Sequence, residues 1–173
     1  MVNRYGARAP HLDVRAQGIS PAMRTFFQSF PKLALLVSIG LFCLCLLNDG
    51  FYPHASTPDS AVPGWQLLLF GWSAIPHGGV AWLANPVLGV AWVLFFLKHP
   101  GRSAGLAALA LALMISFLLE SKVTSMYSET GTLVAGYGAG YWLWVACAST
   151  LLLGSIVAAL PTEFLDQESN GAP

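Results

Sequence analysis

Apolar residues along this chain gather into four long runs, Pro31 to Leu47, Gly79 to Leu97, Ser103 to Leu119 and Ala139 to Leu160, separated by short polar stretches. Each run continues far past the five or six residues of a typical strand and carries no charge deeper than Lys32, so each predicts a helix that is apolar on all sides. A bilayer core of about 30 Å takes about 20 residues of helix, with about 17 as the lower end, and the four runs reach that length. The pattern therefore predicts an all-α integral membrane four-helix bundle, together with one extra short helix that lies in the interface or re-enters.

That extra helix comes from the stretch the chain is organised around, Gly64 to Lys98, which is apolar almost throughout but too long for one ordinary span. It is interrupted by Pro76-His77-Gly78-Gly79 and again by Asn85-Pro86, residues that disrupt a helical ladder. Trp65 to Ile75 is expected as a short interfacial or re-entrant helix, and 79–97 as the true span.

The remaining segments follow from their breakers. Residues 1–30 are expected as a cytoplasmic N-terminal arm, in which Met23, Phe26, Phe27 and Phe30 recur at helical spacing and predict a short amphipathic helix ending at Pro31. The stretch from Asn48 to Pro63, with three prolines, and the stretch 121–135 are expected as outer loops, and 98–102 as a tight inner turn. Residues 161–173 form a short acidic tail. Two ridges of small residues, Ala104, Ala108, Ala112 and Ser116 in the third run and Ala146, Thr150, Gly154 and Ala158 in the fourth, are expected to let neighbouring helices approach closely.

Composition strengthens the membrane reading: 55% of residues are hydrophobic and only 9% charged, against about 25% charged in ordinary soluble domains. Eight Lys and Arg balance eight Asp and Glu, so no basic field points to nucleic acid. The distribution of cations is more telling than their sum. Arg4, Arg8, Arg15, Arg24, Lys32, Lys98 and Arg102 all flank one side of the expected bundle, while Lys122 alone lies on the other, which places both termini in the cytoplasm. A cleavable signal peptide is disfavoured, because more than 30 residues precede the first run and Leu47-Asn48-Asp49-Gly50 offers no small-residue cleavage site. Cys43, Cys45 and Cys147 fall inside the runs and are expected as free thiols, since Cys-x-Cys without a second pair is not a zinc signature.

The residues also carry a resemblance. PGWQLLLFGW, followed by AWLANP and then GYGAGYWLW, resembles a group of small uncharacterised bacterial inner-membrane proteins over roughly residues 47–150. It implies a four-span topology in the bacterial inner (plasma) membrane and brings no activity with it; the N-terminal arm lies outside it.

Few residues offer chemistry. Asn85 is the sharpest, because an amide inside an apolar span needs a partner, either a neighbouring helix or a ligand or ion. His77 and Glu120 both fall near the expected outer surface, where an acid and an imidazole together could contact a ligand or ion. With His54 and Asp49 nearby a metal cluster is conceivable, but no pair has ligand spacing, and no metal is expected. The glycines of Gly136-Tyr137-Gly138-Ala139-Gly140 do not make a nucleotide loop, since their spacing is wrong and a span follows. Trp65, Trp72, Trp142 and Trp144 suit an aromatic belt, and Trp82 and Trp92 suit packing. No cofactor is implied. The reading that follows is a non-enzymatic membrane protein acting as a scaffold or subunit of a membrane assembly, with lipid and either further copies or other membrane subunits as partners. The alternative is an oligomeric channel or small-solute transporter whose vestibule is the broken element 64–98.

Overall fold

The structure, a computed structural model, describes residues 21–53, 61–120, 122–125 and 128–160. The expected arm over 1–20, the tail over 161–173 and His54 lie outside the described residues.

Four helices carry the apolar runs: α1 (Pro21–Leu46), α3 (Ala84–Phe96), α4 (Pro100–Ser116) and α5 (Ala139–Ala159). Between α1 and α3 lies the short α2 (Gly64–Phe70), continued by a 3-10 segment, Gly71–His77, and followed by a 3-10 turn, Ala81–Leu83, that leads into α3. Three helical stretches, Ser29–Leu46, Pro100–Leu119 and Ala139–Ala159, are long and apolar enough to cross a membrane, whereas Ala81–Phe96 is shorter. Its helical rise covers about 24 Å against a hydrocarbon core of about 30 Å.

Two boundaries differ from the sequence reading. Pro31 does not divide α1, which runs unbroken from Pro21 to Leu46 with Pro31 inside it. Removing one N–H weakens a ladder, but α1 is held along its length against α5, where Gly154 lies so close to Ala34 that an added Cβ would come within 2.5 Å of the alanine methyl. Pro86 likewise breaks nothing. It falls in the first turn of α3, where a missing N–H is one of the helix's unpaired donors anyway.

The core lies where the four helices meet, with Leu88, Met114 and Leu151 fully buried among Ala84, Ala91, Ala107, Ala110 and Ala148. On α4 the buried face is Ser103, Ala107, Ala110 and Met114, so the expected ridge is displaced: Ala108 and Ala112 point outward and are exposed. Buried serines tie the helices. Ser38 of α1 donates to the Cys147 carbonyl (2.8 Å) and accepts from Trp92 Nε1 (3.0 Å). Ser103 of α4 donates to the Ala91 carbonyl (2.9 Å) and lies 3.0 Å from Ser155 Oγ of α5. In lipid, where apolar surface gives no preference for protein over solvent, such bonds and close small-residue contacts are what hold helices together. The three cysteines are free, Cys43 exposed and Cys45 and Cys147 buried.

The fold is not purely all-α. The two stretches expected as loops pair into one four-stranded antiparallel sheet in the order β2-β1-β4-β3, from β1 (Asp49–Pro53), β2 (Val62–Pro63), β3 (Lys122–Ser125) and β4 (Ser128–Tyr137). The central pairing sets Phe51 against Tyr137 and Tyr52 against Gly136. The prolines sit where a sheet tolerates them, Pro63 on the edge strand β2 and Pro53 at the end of β1. The sheet covers the end of the bundle at which α1 and α4 finish and α5 begins. Both described chain ends and the turn between α3 and α4 therefore lie at the opposite end.

Candidate functional site

Between the bundle end, the sheet and the α2 segment lies a cavity of about 520 Å³. Its existence follows from how the stretch after Pro63 folds back on itself. The 3-10 segment ends in a left-handed turn at Gly78 (φ 92°), where the Gly79 N–H donates to the Ala74 carbonyl and the Gly78 N–H to the Ile75 carbonyl. That pair of bonds closes the helix end and turns the chain, at a φ only glycine adopts freely. Trp82 then packs over Gly71 and donates its Nε1 hydrogen to the Leu68 carbonyl at 2.9 Å, pinning the start of the α3 run to α2. The segment predicted as interfacial or re-entrant over 65–75 thus leaves from and returns to the sheet end.

The opposite wall is built by α1 and α5. Gly138 and Gly140 lie directly against the Asn48–Asp49 backbone, where an added Cβ at Gly140 would sit 2.8 Å from the Asp49 carbonyl oxygen. The glycines of the GYGAGYW stretch therefore serve close approach of α5 to the start of the sheet, which brings Tyr141 and Trp144 to the cavity. Aromatic rings pack where the bundle end meets the sheet: Phe117 meets Phe51 of β1 (6.1 Å between ring centres), Tyr137 of β4 (5.7 Å) and Tyr141 of α5 (5.9 Å), all tilted or edge-on as aromatic quadrupoles prefer. Phe42, Phe70 and Trp82 add further aromatic lining.

Into this apolar surround project a few polar groups. Asn85 lines the cavity, and its Oδ1 accepts a hydrogen bond from Trp144 Nε1 at 2.9 Å. An indole nitrogen only donates, which fixes the amide's orientation. The Asn85 nitrogen then has no acceptor among the described residues and is the donor this side chain offers to the cavity. Ser73, buried, and Gln66, exposed, also line it.

Glu120 stands at the border. It follows the 3-10 turn Phe117–Leu119, is half-buried, and lines both the main cavity and a neighbouring pocket of about 110 Å³ shared with Ala74, His77, Gly78, Gly79 and Lys122. Burial raises its carboxyl above the ordinary value, with no cation among the described residues offsetting it. Burial, and secondarily the Glu120 charge, also raise the Tyr137 phenol, whose hydroxyl donates to the Phe117 carbonyl at 3.2 Å.

Of the sequence candidates, Asn85 and Glu120 meet in one cavity, while exposed His77 joins Glu120 only in the smaller pocket. Among the described residues no group of three His, Cys, Asp or Glu side chains is placed to hold a metal ion. Trp144, expected in an aromatic belt, instead binds Asn85; Trp65, Trp72 and Trp142 are exposed. Sequence reasoning missed Trp144, Tyr141 and Phe117 as cavity residues; the signal available for the first two was the dense aromatic and glycine run 136–144 that opens α5, and Phe117 carried none.

Comparison of the chain with protein-family models, with curated proteins and with solved structures finds no match.

Proposed function

We propose that this chain is a non-enzymatic multi-pass protein of the bacterial inner membrane that holds a small amphiphilic molecule in the cavity beneath its folded-back segment. The supporting observation is the cavity itself, of about 520 Å³, within the range of small-molecule sites, apolar in most of its lining and furnished with an unpaired Asn85 donor and one carboxylate. In this reading α3 with its leading turn is a fourth, short span. Positively charged Arg24, Lys32, Lys98 and Arg102 at the end away from the sheet favour that end as cytoplasmic, with the cavity near the outer surface.

The expectation of a scaffold or subunit is kept as the setting for this binding role, since the exposed apolar faces of α1, α3, α4 and α5 suit either lipid or a neighbouring subunit equally. A channel has less support. Leu88, Met114 and Leu151 fill the bundle centre, so a conduction path would have to run between copies rather than through one.

The test uses the full chain in phosphatidylcholine nanodiscs, with the native cysteines replaced and Ser73→Cys introduced. Methyl methanethiosulfonate should modify this thiol, and 4-phenyl-1-butanol should protect it in a saturable way, whereas a thiol at Leu88→Cys in the core should stay unreactive. Modification of Ser73→Cys that no concentration of the alcohol slows would overturn the binding reading.

A further inference from the structure

Taking the cavity as a binding site, we propose that its occupant is a lipophilic amine or other organic cation, held with its charge beside Glu120 and its apolar body among the aromatic side chains.

The charge of the lining decides the class. Among the described residues, Glu120 is the only ionisable acid or base on the cavity wall apart from the Tyr141 phenol and the Cys45 thiol, both neutral near pH 7. Lys122 and His77 line the neighbouring pocket and not this one. A fatty acid or a phosphate headgroup would bring a second negative charge beside a half-buried carboxylate, with no cation among the described residues of the wall to balance either. A cationic group meets the opposite situation. Glu120 forms no ion pair with the described residues, so a ligand ammonium supplies the counter-charge that the fold leaves out.

The aromatic lining points the same way. Phe117 and Tyr141 lie with ring centres 5.9 Å apart on the side of the cavity that Glu120 borders, and Trp82 and Phe51 complete the surround. Ring faces attract cations through their quadrupole, and the attraction strengthens where water is excluded. Asn85 contributes a donor, which a cation cannot use but an ether, hydroxyl or carbonyl elsewhere in the ligand can.

The Ser73→Cys protection assay measures this with three probes of one shape: 4-phenylbutylamine, 4-phenyl-1-butanol and 4-phenylbutyrate at pH 7.5. The amine should protect at least about tenfold more tightly than the alcohol, the carboxylate more weakly than the alcohol, a difference expected from one cation–aromatic contact and one ion pair. Adding Glu120→Gln should bring the amine down to the level of the alcohol, and Glu120→Lys should make the carboxylate the preferred probe; circular dichroism and monodisperse elution confirm that each variant is folded. Equal protection by amine and alcohol, tighter protection by the carboxylate, or an amine preference that survives Glu120→Gln would each overturn the ligand class while leaving the cavity reading intact. Failure of all three probes would overturn both.

Discussion

Replacing Asn85 by Leu removes the one polar bond that joins α3 to α5 at the cavity, Trp144 Nε1 to Asn85 Oδ1 at 2.9 Å. Hydrogen bonds between helices in membranes average about 0.6 kcal/mol and reach about 1.7, because the unfolded segment finds other partners. Trp144 would lose its acceptor, but it borders a cavity that water can enter, so the penalty for the freed N–H stays small. Asn85→Leu should therefore cost about 1 kcal/mol. Trp144→Phe loses the same bond together with packing volume, and should cost about 2 kcal/mol. Equilibrium unfolding in bicelles, titrated with sodium dodecyl sulfate and followed by far-ultraviolet circular dichroism, gives all four corners of the double-mutant cycle. The double variant should be more stable than the sum of the single losses implies, by about 0.6 to 1.7 kcal/mol. A coupling below about 0.3 kcal/mol, within ordinary additivity error, would refute the bond and with it the fixed orientation of the Asn85 amide.

Two further predictions concern the backbone and the carboxylate. The turns at Gly78 (φ 92°) and Lys98 (φ 60°) close the 3-10 segment and α3 with the same pair of carbonyl bonds, but only one of them has glycine; Gly78→Ala should lower stability by about 1 kcal/mol and Lys98→Gly should raise it by a smaller amount, measured by the same titration, and equal signs would contradict the assignment of both turns. Glu120 has a carboxyl raised by burial, so the folded protein resists its ionisation more than the unfolded chain does: its neutral form carries no penalty below the ordinary carboxylate value of 4.5, and stability is lost as pH rises through the folded value. With His77, Lys122 and Tyr137 as the neighbouring titratable groups, the melting temperature of Glu120→Gln relative to wild type should be higher at pH 7 than at pH 4, and a difference of the opposite sign would refute the burial of this carboxylate.

The helices were legible because an apolar run of 17 or more residues leaves few alternatives: α5 keeps its expected bounds to within one residue and α3 its expected end, while α3 starts at Ala84, five residues later than expected, after the 3-10 turn Ala81–Leu83. The break between the α2 segment and the α3 run was legible from Pro76 and the glycine pair after it. The sheet was not: β1 and β2 are short, carry Pro53 and Pro63, and alternate too briefly for a period of two to stand out against a loop. Nor was the face of α4. A four-residue step overshoots the true helical repeat of 3.6 and drifts round the helix, so Ala108 and Ala112 pass off the buried stripe that Ala107 and Ala110 hold. Asn85 was recognisable as a group in need of a partner, but Trp144 lies 59 residues away and only the docking of α5 on the sheet brings the two together. Glu120 gave no hint of bordering a cavity, because the other walls come from distant parts of the chain.

Everything proposed for the cavity depends on α2 and its 3-10 continuation returning to the side they leave from. Single cysteines at Gln66, Pro76, Lys122 and Lys98, all exposed positions, in a background lacking Cys43, Cys45 and Cys147, can be labelled in oriented inner-membrane vesicles with an impermeant maleimide. The Gln66, Pro76 and Lys122 positions should react from one face and the Lys98 position from the other. Labelling of Gln66 and Pro76 from opposite faces would make the segment a span and dissolve the cavity, and labelling of Lys98 from the same face as Pro76 would show that α3 does not cross.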